Sequence, residues 1–132
     1  MTIKYRSNSN TRFSSKYHLV WSPKYRARVL CRGVDERLKA IIRQVASEHR
    51  IEVLALEVMP DHVHLVAEVD PKFGVARFLR TVRGRSSRLL RQEFPRLRSP
   101  PSLWAGSTFI STVGGAPLSV LKWYVATQKE RP

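Results

Sequence analysis

The chain has 132 residues, about one domain's worth, and carries 24 Lys+Arg against 10 Asp+Glu for a formal net charge of +14. With 42% hydrophobic residues it can build a packed core, so wholesale disorder is excluded and a polyanion, nucleic acid first, is the expected partner. No apolar run approaches a membrane span, no secretory pattern follows Met1, and the single cysteine, Cys31, rules out an internal disulfide or a multi-cysteine zinc site. The expectation is one reduced, cytoplasmic domain over residues 1–132.

Residues 14–22 alternate Tyr17, Leu19 and Trp21 against His18 and Val20, a strand pattern that Pro23 ends. Residues 34–49 place Val34, Leu38, Ile41, Ile42 and Val45 on one helical face, with Asp35 and Glu36 suited to the helix dipole. Residues 51–59 and 62–69 predict two strands around the turn signal Pro60-Asp61, hence a hairpin. Residues 74–93 return to helical period. Val75, Phe78, Leu79, Val82, Leu89 and Leu90 share one face, Arg77, Arg80, Arg88 and Arg91 the other, with Arg83 and Arg85 at its edges. A loop over 95–101 leads to a strand over 108–113, a turn at Gly114-Gly115 and a last helix over 117–130. The order β-α-β-β-α-β plus a helix predicts an α+β, ferredoxin-like sandwich: an antiparallel sheet with helices on one face.

The charge is segregated. Residues 1–32 hold eight basic and no acidic side chains, residues 33–70 four basic and eight acidic, and residues 71–100 nine basic and one acidic. Both basic blocks are patterned with apolar residues, so they fold rather than trail as tails. Arg77, Arg80, Arg83, Arg88 and Arg91, extended by Lys16, Lys24, Arg26 and Arg28, are the candidate phosphate contacts, and binding should weaken steeply with salt. Tyr25 and Trp104 are candidates both for stacking on unpaired bases and for plain core packing.

His62-Val63-His64 projects two imidazoles from one strand face, half of a metal site that needs another ligand from elsewhere; the bland alternative is a polar strand face. His18 and His49 read as structural, and Cys31 as a small apolar residue. In the last helix Tyr124 and Gln128 stack at i and i+4. Their plain reading is a packing tyrosine and a solvated glutamine. Their chemical reading is a nucleophile and an oxygen ligand for a hard cation. A phenol, with its pKa of roughly 10, needs a nearby cation or base to attack at neutral pH. The same helix is apolar on both sides, through Leu118, Leu121 and Val125 and through Val120 and Trp123, which favours a second subunit.

The stretches Tyr17–Arg26 (YHLVWSPKYR), Leu56–Leu65 (LEVMPDHVHL), Ser111–Gly115 (STVGG) and Tyr124-x-x-x-Gln128 occur in an order that resembles the single-tyrosine HUH transposases of the smallest insertion sequences, usually called TnpA. The resemblance spans about residues 12–130, with one departure where Ser107-Thr108-Phe109 replaces a Ser-Tyr-Phe-like triplet. It implies the ferredoxin-like fold and a homodimer with a composite active site. It makes His62, His64 and Gln128 the metal ligands, for Mg²⁺ or Mn²⁺, and Tyr124 the nucleophile. The implied substrate is single-stranded DNA with hairpins at the element's ends, cut and rejoined through a 5′-phosphotyrosine. No Walker-type motif is present, in keeping with chemistry that needs no ATP. The rival reading is a non-catalytic, RRM-like nucleic-acid-binding module, although no RNP-like aromatic cluster lies on the central strands.

Overall fold

The computed structural model describes residues 6–7, 12–13 and 15–113. The expected turn at Gly114-Gly115 and the helix over 117–130, with Tyr124 and Gln128, lie outside the described residues.

A short antiparallel pair, β1 (Arg6–Ser7) and β2 (Arg12–Phe13), precedes the main fold and is not among the expected elements. Then follow β3 (Lys16–Pro23), α1 (Val34–Glu48), β4 (Glu52–Met59), β5 (His62–Glu68), α2 (Val75–Glu93) and β6 (Trp104–Thr112). The four long strands form one antiparallel sheet in the order β4-β5-β3-β6. Both β3 and β5 are therefore central, and the order is the ferredoxin-like one that the sequence predicts.

Alternation along the strands decides the layering. Leu19 and Trp21 of β3, with Val63 and Leu65 of β5, are buried against the helices. His18 of β3 and His62 and His64 of β5 hold the alternate positions and lie on the other face. Both helices cover the first face, α1 through Leu38, Ile41, Ile42 and Val45, α2 through Phe78, Leu79, Val82 and Leu90. Each fully buried side chain of this kind stabilises the fold by about 1.5–3 kcal/mol relative to exposure. Ion pairs Arg37–Glu93 and Arg85–Glu48 cross between the two helices.

Helix α1 ends without glycine. Arg50 takes φ 55°, and the Ile51 and Arg50 amides donate back to Ala46 and Ser47 at 2.8 and 3.4 Å, a Schellman cap. His49, the last cap residue, stacks on Phe73 at 4.4 Å, in keeping with its structural reading.

Strand β6 begins at Trp104, four residues ahead of its expected start at 108. Ala105-Gly106-Ser107 has no apolar alternation, so its pairing is set by tertiary contacts: Trp104 aligns with Pro23, and the Lys24 amide donates to the Leu103 carbonyl at 2.8 Å. Trp104 is itself core. It lies edge-on to Trp21 and donates its indole N–H to Ser86 Oγ at 3.1 Å, so it is not a base-stacking surface.

Candidate metal centre and nucleic-acid face

Strands β4 and β5 are joined by the two residues Pro60-Asp61, with Met59 paired to His62. This tight turn returns the Asp61 carboxylate onto the first histidine of the pair. His62 Nδ1 lies 2.6 Å from Asp61 Oδ1. A carboxylate only accepts, so Nδ1 carries a proton, and Nε2 is the nitrogen left to offer a lone pair. Burial alone would raise the Asp61 pKa, but the hydrogen bond from His62 and the charges of His62 and Arg26 outweigh it and hold the carboxyl below its ordinary value. Arg26 donates to the other Asp61 oxygen at 3.0 Å. From the sequence, Asp61 reads only as a turn residue.

Arg26 reaches Asp61 from a 3₁₀ turn, Lys24–Arg26, in which Tyr25 and Arg26 both have left-handed backbones, φ 62° and 50°. Such conformations cost non-glycine residues roughly 1–2 kcal/mol each. The turn is held by Lys24 against β6 and, beyond it, by the Leu30 amide on the Pro60 carbonyl at 2.9 Å. It leaves the Tyr25 ring 82% exposed.

His64 follows on the same face of β5, its ring 4.7 Å from that of His62. Its Nδ1 lies 3.3 Å from Nε2 of His18, and both residues are buried. His64 Nε2 is buried with no hydrogen-bond partner among the described residues. Burial, with the charges of His62 and His18 adding, pushes the His64 pKa down to about 4. The imidazole is therefore neutral at pH 7, as a metal ligand must be. Two imidazoles on one strand face, one ring oriented by a carboxylate, fit a divalent cation. Among the described residues no group of three or more His, Cys, Asp or Glu completes a site, so a further ligand has to come from elsewhere. Gln128, the expected one, lies outside the described residues.

The depressed His64 pKa has a consequence for stability. The unfolded chain takes up this proton near 6.5 and the folded chain only near 4. The contribution is intact above pH 6.5 and lost as the pH falls toward 4, by up to about 1.4 kcal/mol per pH unit. Urea unfolding at stepped pH should show this slope in the metal-free chain and a shallower one in His64→Gln.

The arginines of α2 divide into two groups. Arg83 donates to the Ala105 carbonyl and to Thr108 Oγ1, and Arg91 to the carbonyls of Arg98, Pro100 and Pro101. Both tie α2 to the segment that follows it. Burial lowers the Arg83 pKa. Arg77, Arg80 and Arg88 are exposed along one stripe of the helix. Arg77 lies 4.5 Å from the centre of the Phe73 ring, and Arg80 and Arg88 make no ion pair among the described residues. Arg80 also borders a groove of about 550 Å³ between α2 and β6, lined by Leu79, Arg83, Trp104 and Ile110. Lys16 is not an open phosphate contact, because its ammonium pairs with Glu68 at 3.0 Å; Lys24 is half-buried, and Arg26 and Arg28 are exposed. Cys31 is half-buried with a free thiol that lies 3.7 Å from the Arg28 carbonyl.

This chain and its fold have relatives. The chain is 34% identical to the ISDra2 transposase TnpA of Deinococcus radiodurans, over 90% of this chain and 87% of that protein. It is 30% identical to the transposase for insertion sequence element IS200 of Salmonella typhimurium, over 83% of this chain and 74% of that one. A crystal structure of a transposase candidate from Deinococcus radiodurans R1 superposes with a TM-score of 0.76 at 33% identity, covering 93% of this chain and 97% of the other. A REP-associated tyrosine transposase, bound to a REP hairpin, shares the fold with a TM-score of 0.57 at 13% identity, over 84% of this chain and 64% of that one. Residues 11–128 match the family of IS200-like transposases. The chain belongs to that family.

Proposed function

We propose that this transposase cuts and rejoins single-stranded DNA at the hairpin-marked ends of an insertion sequence, through a covalent link to Tyr124. The observation that carries the reading is the pairing of His62 and His64, two imidazoles that each can present an Nε2 lone pair on one face. The hairpin held by the REP-associated relative supports the choice of substrate.

The phenolic oxygen of Tyr124 attacks the scissile phosphorus. A Tyr–O–P bond forms and the P–O3′ bond breaks. The phenol's proton is lost to solvent, and the released 3′ oxygen takes one up. A 3′-OH from another strand then attacks the same phosphorus and frees the tyrosine. One phosphodiester is made for each one broken, so no ATP is consumed. A Mg²⁺ or Mn²⁺ ion held by His62, His64 and Gln128 would supply Lewis-acid polarisation of the phosphate. Asp61 fixes the ring of His62, and Arg26 fixes Asp61. A homodimer would cover both apolar sides of the helix expected over residues 117–130.

The grip on DNA falls to the exposed cations Arg77, Arg80 and Arg88, joined by Lys24, Arg26 and Arg28, while Tyr25 offers a ring to an unpaired base. Replacing Arg80 and Arg88 by alanine should flatten the plot of log K against log salt by about 0.7–0.9 for each phosphate no longer neutralised. Arg83→Ala should instead lower the melting temperature, because its donors are spent on Ala105 and Thr108. A slope unchanged in Arg80→Ala/Arg88→Ala would take the stripe out of the DNA interface.

The catalytic reading is tested by incubating the full chain with single-stranded hairpin DNA from its own flanks and Mg²⁺ or Mn²⁺. A denaturation-resistant protein–DNA adduct is expected. Binding without any adduct on any flank sequence favours the non-catalytic binding module instead.

A further inference from the structure

We infer that His18 is a positioning residue for the histidine pair: it accepts the Nδ1 proton of His64 and thereby leaves the His64 Nε2 lone pair for a cation. The inference takes its purpose from the metal reading above, but the hydrogen bond stands on geometry alone.

The sheet makes the contact unavoidable. In the β3–β5 register Val20 faces His64 and His18 faces Val66, so His18 and His64 are diagonal neighbours on the same face. Their rings lie nearly parallel, 12° apart with centroids 5.5 Å apart, and Nε2 of His18 is 3.3 Å from Nδ1 of His64. The Phe109 ring of β6 stands edge-on to His18 at 6.0 Å, so His18 is packed between two rings. It is 2% exposed, which leaves it little room to turn.

Two neutral imidazoles can share this contact in two ways. If His18 donates, the His64 proton sits on Nε2, and if it accepts, its own proton sits on Nδ1; both atoms are buried, so burial does not choose between the two forms. If His18 accepts, His64 carries its proton on Nδ1 and Nε2 is a lone pair. Only the second form matches the state that Asp61 imposes on His62. The two ligands would then be oriented by different partners, His62 by a carboxylate on its own turn and His64 by an imidazole on the next strand. Partners of this kind set both the tautomer and the basicity of a metal ligand.

The test reads the tautomer without metal. Long-range ¹H–¹⁵N spectra of the full, metal-free chain at pH 7.5 should show His64 protonated at Nδ1. His18→Phe should move His64 toward the Nε2-protonated form, while His18→Gln, which keeps an accepting oxygen, should hold it at Nδ1. Mn²⁺ titration followed by EPR should show affinity weakened about 10- to 100-fold in His18→Phe and largely restored in His18→Gln. Nε2 protonation in the wild type, or an unchanged tautomer in His18→Phe, overturns the assignment. If His18→Phe does not fold, the wild-type and His18→Gln spectra decide by the same criterion. A wild type protonated at Nδ1 that binds no Mn²⁺ supports the role of His18 and sinks the metal reading alone.

Discussion

Tyr124→Phe is expected to bind hairpin DNA within about twofold of the wild type and to form no denaturation-resistant adduct. The substitution keeps the aromatic ring and removes one oxygen, so packing is nearly conserved while the nucleophile is gone. Strand cleavage should fall at least about a thousandfold, because a side chain that forms the covalent bond has no partial substitute. The check is a denaturing gel with end-labelled DNA, beside a binding assay on the same preparations. An adduct that persists in Tyr124→Phe removes Tyr124 from the reaction and with it the proposed mechanism.

The second large effect is expected from His64→Ala. Hairpin binding should survive, since the exposed cations of α2 are untouched, while Mn²⁺ binding and cleavage are lost. The substitution leaves His62 as a single imidazole ligand and takes from His18 its hydrogen-bonded neighbour. A fall of about a hundredfold or more in cleavage, with DNA affinity kept, fits a ligand that acts on the reacting phosphate. Loss of binding together with cleavage would instead assign the histidine pair to the scaffold. Melting curves of the two variants separate that outcome from plain unfolding.

Much of this arrangement was legible in the chain. The period-2 alternation around Leu19 and Trp21 and the helical stripes of α1 and α2 dictate which faces are buried, and the β-α-β-β-α-β order then leaves few ways to close the sheet. His62 and His64 were legible because two residues apart on one strand is a local relation. His18 was not. Its partnership with His64 spans 46 positions and depends on the register between β3 and β5, which no local pattern encodes. A helical wheel places Arg83 and Arg91 beside the other arginines, but it gives direction and not reach. Both side chains fold back onto carbonyl groups of the following segment. The start of β6 was hidden because Ala105-Gly106-Ser107 carries no alternation of its own.

The two faces of the sheet set a constraint on substrate length. The histidines lie on the face away from α1 and α2, and the arginine stripe lies on the outer side of α2, beyond the helical layer. One helix diameter plus a sheet-to-layer spacing separates them, on the order of 20 Å. A strand anchored on the stripe reaches the histidines only by wrapping an edge of the sheet. On the proposed mechanism the protein would work as a ruler: the cut would fall a set number of nucleotides from the anchored structure, and shortening the intervening single strand should abolish cleavage while leaving the anchor bound.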